Sequence, residues 1–195
     1  MIFYEDVSVR DGAQQIGITN TYDSIKEISN IIASSGIQRI EYKIIASETD
    51  VVHFIETYQK HTAIKFSLLT LPTEATKSHY KKMLQSVNQE HGRLNIKFLF
   101  PVSQEHLVHK LKTNEDQFLK QVKEFYEALD LVKCSVILED ASSVPTEDLI
   151  SLCTKITEAL NVSSLVYADT KGILIPSEVE ANIKGGLNNE MQLSD

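Results

Sequence analysis

The stretch that decides the fold is Asp6-Val7-Ser8-Val9-Arg10-Asp11-Gly12-Ala13-Gln14, near the start of a 195-residue chain. Strand alternation puts Ile2, Tyr4, Asp6, Ser8 and Arg10 on one face, so Asp6 and Arg10 point the same way and Asp11 opens the following loop. An acid, an arginine and a second acid this close together are costly at a strand end unless a partner or a ligand compensates them. Gly12 lets the backbone turn or come close to another group. The plain alternative is a salt-bridged strand end.

Outward from this strand, β-rich runs alternate with helical patterns roughly every 30 residues, the size of one βα unit. Ile25, Ile28 and Ile32 mark a first helix, with Ser24 and Glu27 placed as a capping box and Gly36 as its stop. The second strand spans 37–45, with Arg39, Glu41 and Lys43 on one face and Ile40, Tyr42 and Ile44 on the other. Ser47 and Asp50 cap a helix whose Val52, Ile55 and Tyr58 or Gln59 face inward. Strand three covers 64–71, and Tyr80, Met83, Leu84 and Val87 mark the helix after it, closed by His91-Gly92. Strand four covers 95–100, followed by a short helical turn over 103–111 and a helix burying Phe118, Val122, Phe125 and Leu129. Strand five, 132–138, delivers Glu139 and Asp140, and the next helix buries Leu149, Cys153, Ile156 and Leu160. Strand six, 164–168, delivers Asp169 and Thr170, after which Pro176 opens a further helix that Gly185-Gly186 stops. Residues 190–195 would at most begin a seventh strand.

Six such units imply a parallel sheet covered by helices, either a doubly wound sheet or a (β/α)8 TIM barrel. No Gly-x-Gly-x-x-Gly or Walker-type loop follows strand one. Acids and hydroxyls instead gather at strand ends, as Arg10 and Asp11, Glu41, Glu139 and Asp140, and Asp169 and Thr170, which is where a barrel puts its chemistry. The expectation is one α/β domain over 1–195, a TIM-barrel type incomplete in this chain.

Composition narrows the partners. A net charge of -8 without a cluster of basic residues argues against nucleic acid. The apolar runs are too short for a membrane span, and the first residues lack a basic region and a cleavage site, so a cytoplasmic protein is expected. Cys134 and Cys153 fall at core positions and suit reduced, buried thiols.

The opening stretch resembles the signature of the pyruvate-carboxyltransferase-like (HMG-CoA-lyase-like) barrels, the family of 2-isopropylmalate, homocitrate and citramalate synthases and of HMG-CoA lyase. Further stretches are similar in order and spacing: Glu41 through Asp50, Ser103-Gln104-Glu105-His106 with 110–119, Glu139-Asp140-Ala141-Ser142, and Asp169-Thr170-Lys171-Gly172 with Pro176. The resemblance implies Claisen-type carbon–carbon bond formation, in which acetyl-CoA adds to a 2-oxo acid held on a divalent metal (Mg²⁺, Mn²⁺ or Zn²⁺). It makes Asp11 a metal ligand with Gln14 nearby, through water if not directly, and gives Arg10 the developing enolate or alkoxide. Glu41, Thr170 and Glu139 would contact or act on the oxo acid, and Asp6 would support Arg10. Hard oxygen ligands and an arginine suit an oxyanion-forming step.

The departures from the family are specific. Its His-x-His pair of the seventh strand and its glycine-rich segment of the eighth are absent, and Lys43 stands where a glycine is common. Of the six histidines, His53, His61, His79 and His91 fall on helices or helix ends, and His106 and His109 follow strand four, so none is expected to complete a metal site. Lys43 is expected to pair with Glu41 rather than serve as a Schiff-base lysine. Two rivals accompany the synthase reading: an HMG-CoA-lyase-like carbon–carbon lyase, and a degenerate barrel that binds a small acid or a partner protein. Six or seven strands leave open edges, so a homo-oligomer or a complementing subunit is expected.

Overall fold

Apolar residues recur every three to four positions between short β-branched and aromatic runs, and a computed structural model of the chain turns that alternation into strands and helices. It describes residues 4–87 and 92–182. The expected positions of Ile2, His91, Gly185-Gly186 and a strand at 190–195 lie outside the described residues. The chain divides into two units, 1–97 and 98–195, each described by itself.

The first unit holds β1 (Glu5–Asp6), α1 (Tyr22–Ser34), β2 (Arg39–Tyr42), α2 (Glu48–Lys60), β3 (Lys65–Thr70), α3 (Glu74–Ser86) and the start of β4 (Leu94–Pro101). Parallel pairing sets Glu5 against Arg39 and Asp6 against Ile40, then Glu41 against Ser67 and Tyr42 against Leu68. Side chains alternate across these strands. Tyr42 and Phe66 meet Phe54 of α2, with ring centroids 5.1 and 5.8 Å away, while the intervening Glu41 and Ser67 take the opposite face. The charged face of β2 is therefore an inner one, with Glu41 only 2% exposed.

In the second unit, β4 leads into a π-helical turn at His106–Lys110, then α4 (Glu115–Ala128), β5 (Cys134–Glu139), α5 (Thr146–Ala159), β6 (Val162–Tyr167) and α6 (Pro176–Asn182). Phe98 packs edge-on against Phe125 and Phe100 against Phe118, which fixes α4 over β4. β5 and β6 run parallel, with one register shift between Cys134 and Ser135. Cys134 and Cys153 are free and buried as expected.

The sheet order is β1-β2-β3-β4-β5-β6. Strictly consecutive order with a helix after each strand belongs to the (β/α)8 barrel and not to a doubly wound sheet, whose order reverses at a switch point. No helix among the described residues is long and apolar enough to cross a membrane.

Several local expectations are corrected. β1 spans two residues only, because Arg10 and Asp11 donate backbone hydrogen bonds to Val7 O (3.1 and 2.7 Å) and the chain turns there, so the alternation drawn through Arg10 fails. α1 is capped by Thr21, whose Oγ1 accepts from Ser24 N at 3.1 Å, three residues earlier than the expected box. α2 buries Val51, Phe54, Thr57 and Tyr58, and Val52 is 51% exposed. Strand five starts at Cys134, with Val132 exposed before it.

Candidate functional site

In the first unit the site is built on a turn. Asp6 takes no part in supporting Arg10; its Oδ1 accepts from Ser8 N at 2.9 Å and so stabilises the turn. The turn carries Arg10 toward the inner face of β2. There the guanidinium binds Glu41 Oε1 through Nε and Nη2, while Nη1 lies 2.8 Å from Asp11 Oδ1. Glu41 Oε2 accepts from Lys97 Nζ at 2.7 Å. Lys97 also pairs with Glu5, whose other oxygen accepts from Ser67 Oγ at 2.6 Å. The result is a chain of five charged side chains drawn from β1, the turn, β2 and β4. Glu41 and Lys97 are buried, Arg10 is partly open and Asp11 is exposed.

A cavity of about 360 Å³ opens beside Arg10, with Gln14, Asn20 and Lys43 in its wall and Val9, Ile25 and Ile44 as its apolar lining. Lys43 does not pair with Glu41. Its Nζ lies 2.6 Å from Asp50 Oδ1 and 5.2 Å from the centroid of the Tyr22 ring, and Tyr22 donates to the same oxygen at 3.0 Å. Asp50 also binds Ser47 Oγ and Ala46 N. Burial pushes its carboxyl up, but Lys43, Ser47 and Ala46 outweigh that and hold it below the usual range.

In the second unit, Glu139 ends β5 with Oε1 3.4 Å from Lys110 Nζ and Oε2 3.8 Å from His106 Nδ1; that second oxygen is buried and makes no hydrogen bond. Asp140 follows in a left-handed conformation, φ 67°, and its N–H donates to Thr170 Oγ1 at 2.9 Å. Its carboxylate accepts from Ser143 Oγ at 2.7 Å and lies 3.1 Å from Lys171 Nζ. Burial works to raise the Asp140 carboxyl, yet these partners leave it below its ordinary value. Asp169 accepts from Ser142 Oγ, Ile173 N and Leu174 N, and those bonds hold its carboxyl down too. Thr170 and Asp169 thus order the loops after β5 and β6, while Glu139 keeps one buried oxygen without a hydrogen bond.

Arg10, Asp11 and Glu41 therefore meet in one unit, and Glu139 and Thr170 each take a place at a strand end of the other. Gln14 is exposed beside Arg10. Sequence reasoning missed Lys97 and Glu5. A lysine inside the apolar run Ile96-Lys97-Phe98-Leu99-Phe100 was the available signal, because an unpartnered charge does not sit in a covered strand.

A divalent cation takes about six hard donors. Asp11 offers one carboxylate, already bridged to Arg10, and no group of three or more His, Cys, Asp or Glu among the described residues is placed to hold a metal. The described donors do not by themselves fit the ion. His53 stacks on Tyr22 at 3.8 Å and His79 lies 3.5 Å from Glu48.

Comparison with known proteins gives a family, two relatives and a solved structure that the chain is similar to. The HMGL-like family model matches residues 2–192. The chain is similar to homocitrate synthase subunit alpha of Clostridium pasteurianum, 30% identical over 182 residues, covering 92% of this chain and 64% of that relative. It is 26% identical to a homocitrate synthase of Sulfolobus acidocaldarius, covering 92% of this chain and 38% of the relative, so it spans less than two thirds of either. Among solved structures, an HMG-CoA lyase from Acenitobacter baumannii in complex with coenzyme A and 3-methylmalate superposes with a TM-score of 0.74 at 17% identity, covering 95% of this chain and 62% of that one. At that identity the likeness speaks for the fold.

Proposed function

Because the chain belongs to the HMGL-like family, we propose that it carries part of a site for acyl-CoA-dependent carbon–carbon bond formation, in which acetyl-CoA adds to a 2-oxo acid. The observation that carries the reading is the 30% identity with a homocitrate synthase subunit across 92% of the chain. The site's geometry supports it. Arg10 is held by two carboxylates, so its guanidinium is fixed in place before a ligand arrives, as an oxyanion-stabilising group needs to be.

In this reading Arg10 meets the oxygen on which negative charge develops, and Glu41 orients Arg10 and borders the oxo acid. In the same reading Glu139, with one oxygen free of hydrogen bonds and His106 and Lys110 beside it, accepts or returns a proton. Thr170 uses its Oγ1 lone pair on Asp140 N and keeps its own proton for a substrate carboxylate. A divalent cation would supply Lewis acidity at the oxo acid. It needs donors beyond Asp11 and Gln14, so no step here passes through one. A second reading, a barrel that binds a small acid without turnover, is favoured by the same short donor set. Self-association, or pairing with a complementing subunit, belongs to either reading.

The test is release of free thiol from acetyl-CoA with pyruvate, 2-oxoisovalerate and 2-oxoglutarate in turn, with Mg²⁺ or Mn²⁺ present, using the chain and any complex it purifies in. The expected result is release that depends on the oxo acid and falls about 10²-fold or more in Arg10→Met. Oxo-acid binding by calorimetry without thiol release would support the non-catalytic reading and overturn the synthase one.

A further inference from the structure

Lys97 lies outside every residue pattern that brought the site to attention, yet it is the link on which the Arg10 geometry hangs. It sits near the middle of β4, 6% exposed, with its ammonium between Glu5 of β1 and Glu41 of β2. Glu41 in turn divides its carboxylate, Oε1 to Arg10 and Oε2 to Lys97. We infer that Lys97 is a positioning residue: it fixes the plane of the Glu41 carboxylate and thereby the direction in which Glu41 presents the Arg10 guanidinium.

A carboxylate held through one oxygen rotates about its terminal torsion, which is broad, whereas one held through both oxygens by cations from different segments of the chain, here the turn after β1 and the strand β4, cannot. Without Lys97 the carboxylates of half-buried Glu5 and buried Glu41 face one another with no cation between them, and water reaches only the Glu5 side to weaken their repulsion. Glu41 then turns from Glu5, and its bond to Arg10 Nε is lost or misaligned. Ser67, 2% exposed, holds the far oxygen of Glu5 and so keeps the other side of Lys97 in place. The link itself stands on these contacts. What it serves in turnover rests on the proposed role of Arg10.

The experiment therefore reads Arg10 directly. The chain has three arginines, Arg10, Arg39 and Arg93, so its side-chain Nε–H region in a ¹H–¹⁵N spectrum is simple, and Arg10→Lys assigns the first. Arg93, whose Nη1 donates to the carbonyls of His61 and Ile64, is the internal control for the fold of the same unit. The expected result in Lys97→Met is an Arg10 Nε–H that moves upfield and exchanges with solvent about tenfold faster or more, with the Arg93 resonance unchanged, because a hydrogen bond to a charged group has weakened. Lys97→Arg, which keeps a cation there and adds one resonance, is expected to restore the Arg10 signal. An Arg10 signal in Lys97→Met identical to the parent's overturns the inference.

If Lys97→Met also shifts Arg93, Glu5→Gln is read instead, since it removes one of the two charges that hold the lysine. An intermediate change at Arg10 alone supports the link, and no change at Arg10 refutes it. None of these readouts requires turnover. A chain that fails the thiol-release test but shows the Arg10 response would retain the link and lose the proposed reaction.

Discussion

Glu41 shows how one residue can decide a site. Both of its oxygens are taken by cations, and its side chain is 3% exposed. Replacement by alanine removes the shared counter-charge and leaves Arg10 with Asp11 and Lys97 with Glu5, so the cost stays at or below about 3–5 kcal/mol, that of a fully broken buried pair. Urea denaturation of Glu41→Ala is expected to show that loss, and a change under 1 kcal/mol would mean that solvent reaches the pair. The two cysteines give an opposite kind of residue-scale expectation. Burial pushes the Cys134 thiol up to about 12 and the Cys153 thiol up to about 11, so neither forms a thiolate near neutrality. A thiol reagent is expected to label the native chain slowly and both sites at once in denaturant, which also keeps the background of the thiol-release test low. Arg10 and Asp11 were legible as a pair because they adjoin in sequence. The Lys97 link was not: Glu5, Glu41 and Lys97 are 36 and 56 residues apart along the chain, and alternation alone does not say which face of a strand turns inward.

Elements were read more surely than their ends. Helices α1 to α5 announced themselves by their apolar period, because a 3.6-residue repeat survives small errors of register, whereas α6 was marked by Pro176 at its first turn. The caps are less forgiving, since several hydroxyls within one turn can serve. Thr21 caps α1 where Ser24 had the better box, whereas Ser47 and Asp50 meet reciprocally at α2 as their spacing suggested. Asp50 joins that cap to Lys43 and Tyr22, so Ser47→Ala is expected to cost about 1 kcal/mol by thermal or urea unfolding. The pH dependence follows from the direction of the Asp50 shift. Its folded carboxyl lies below the value of the unfolded chain, about 3.9. Its contribution is therefore full above that value and fades as pH falls through the folded pKa. Asp50→Asn is expected to be less stable at neutral pH and to lose less stability than the parent on acidification below about pH 4. Parallel curves for the two proteins would contradict this assignment.

At the scale of the whole molecule, strictly consecutive strand order leaves β1 and β6 as the ends of the sheet among the described residues. The two ends differ in kind. β1 is two residues long, too short to offer much of a ladder. β6 is six residues long, and apart from exposed Ser163 all of them are half-buried, whereas β5 beside it is buried in every residue but Glu139. Its Val162, Leu165, Val166 and Tyr167 are good strand formers, and β5 supplies hydrogen bonds on one side only. Such an edge invites another strand unless it is charged, bulged or covered. Its single irregularity lies opposite Cys134 and Ser135, at the start of the strand, which leaves 164–167 regular. Sedimentation of the 195-residue chain between about 1 and 100 µM is therefore expected to show species of at least twice the monomer mass, increasing with concentration as mass action requires. A single monomeric species at the top of that range would mean that the β6 edge is occupied within the chain, and the proposed self-association would fall with it.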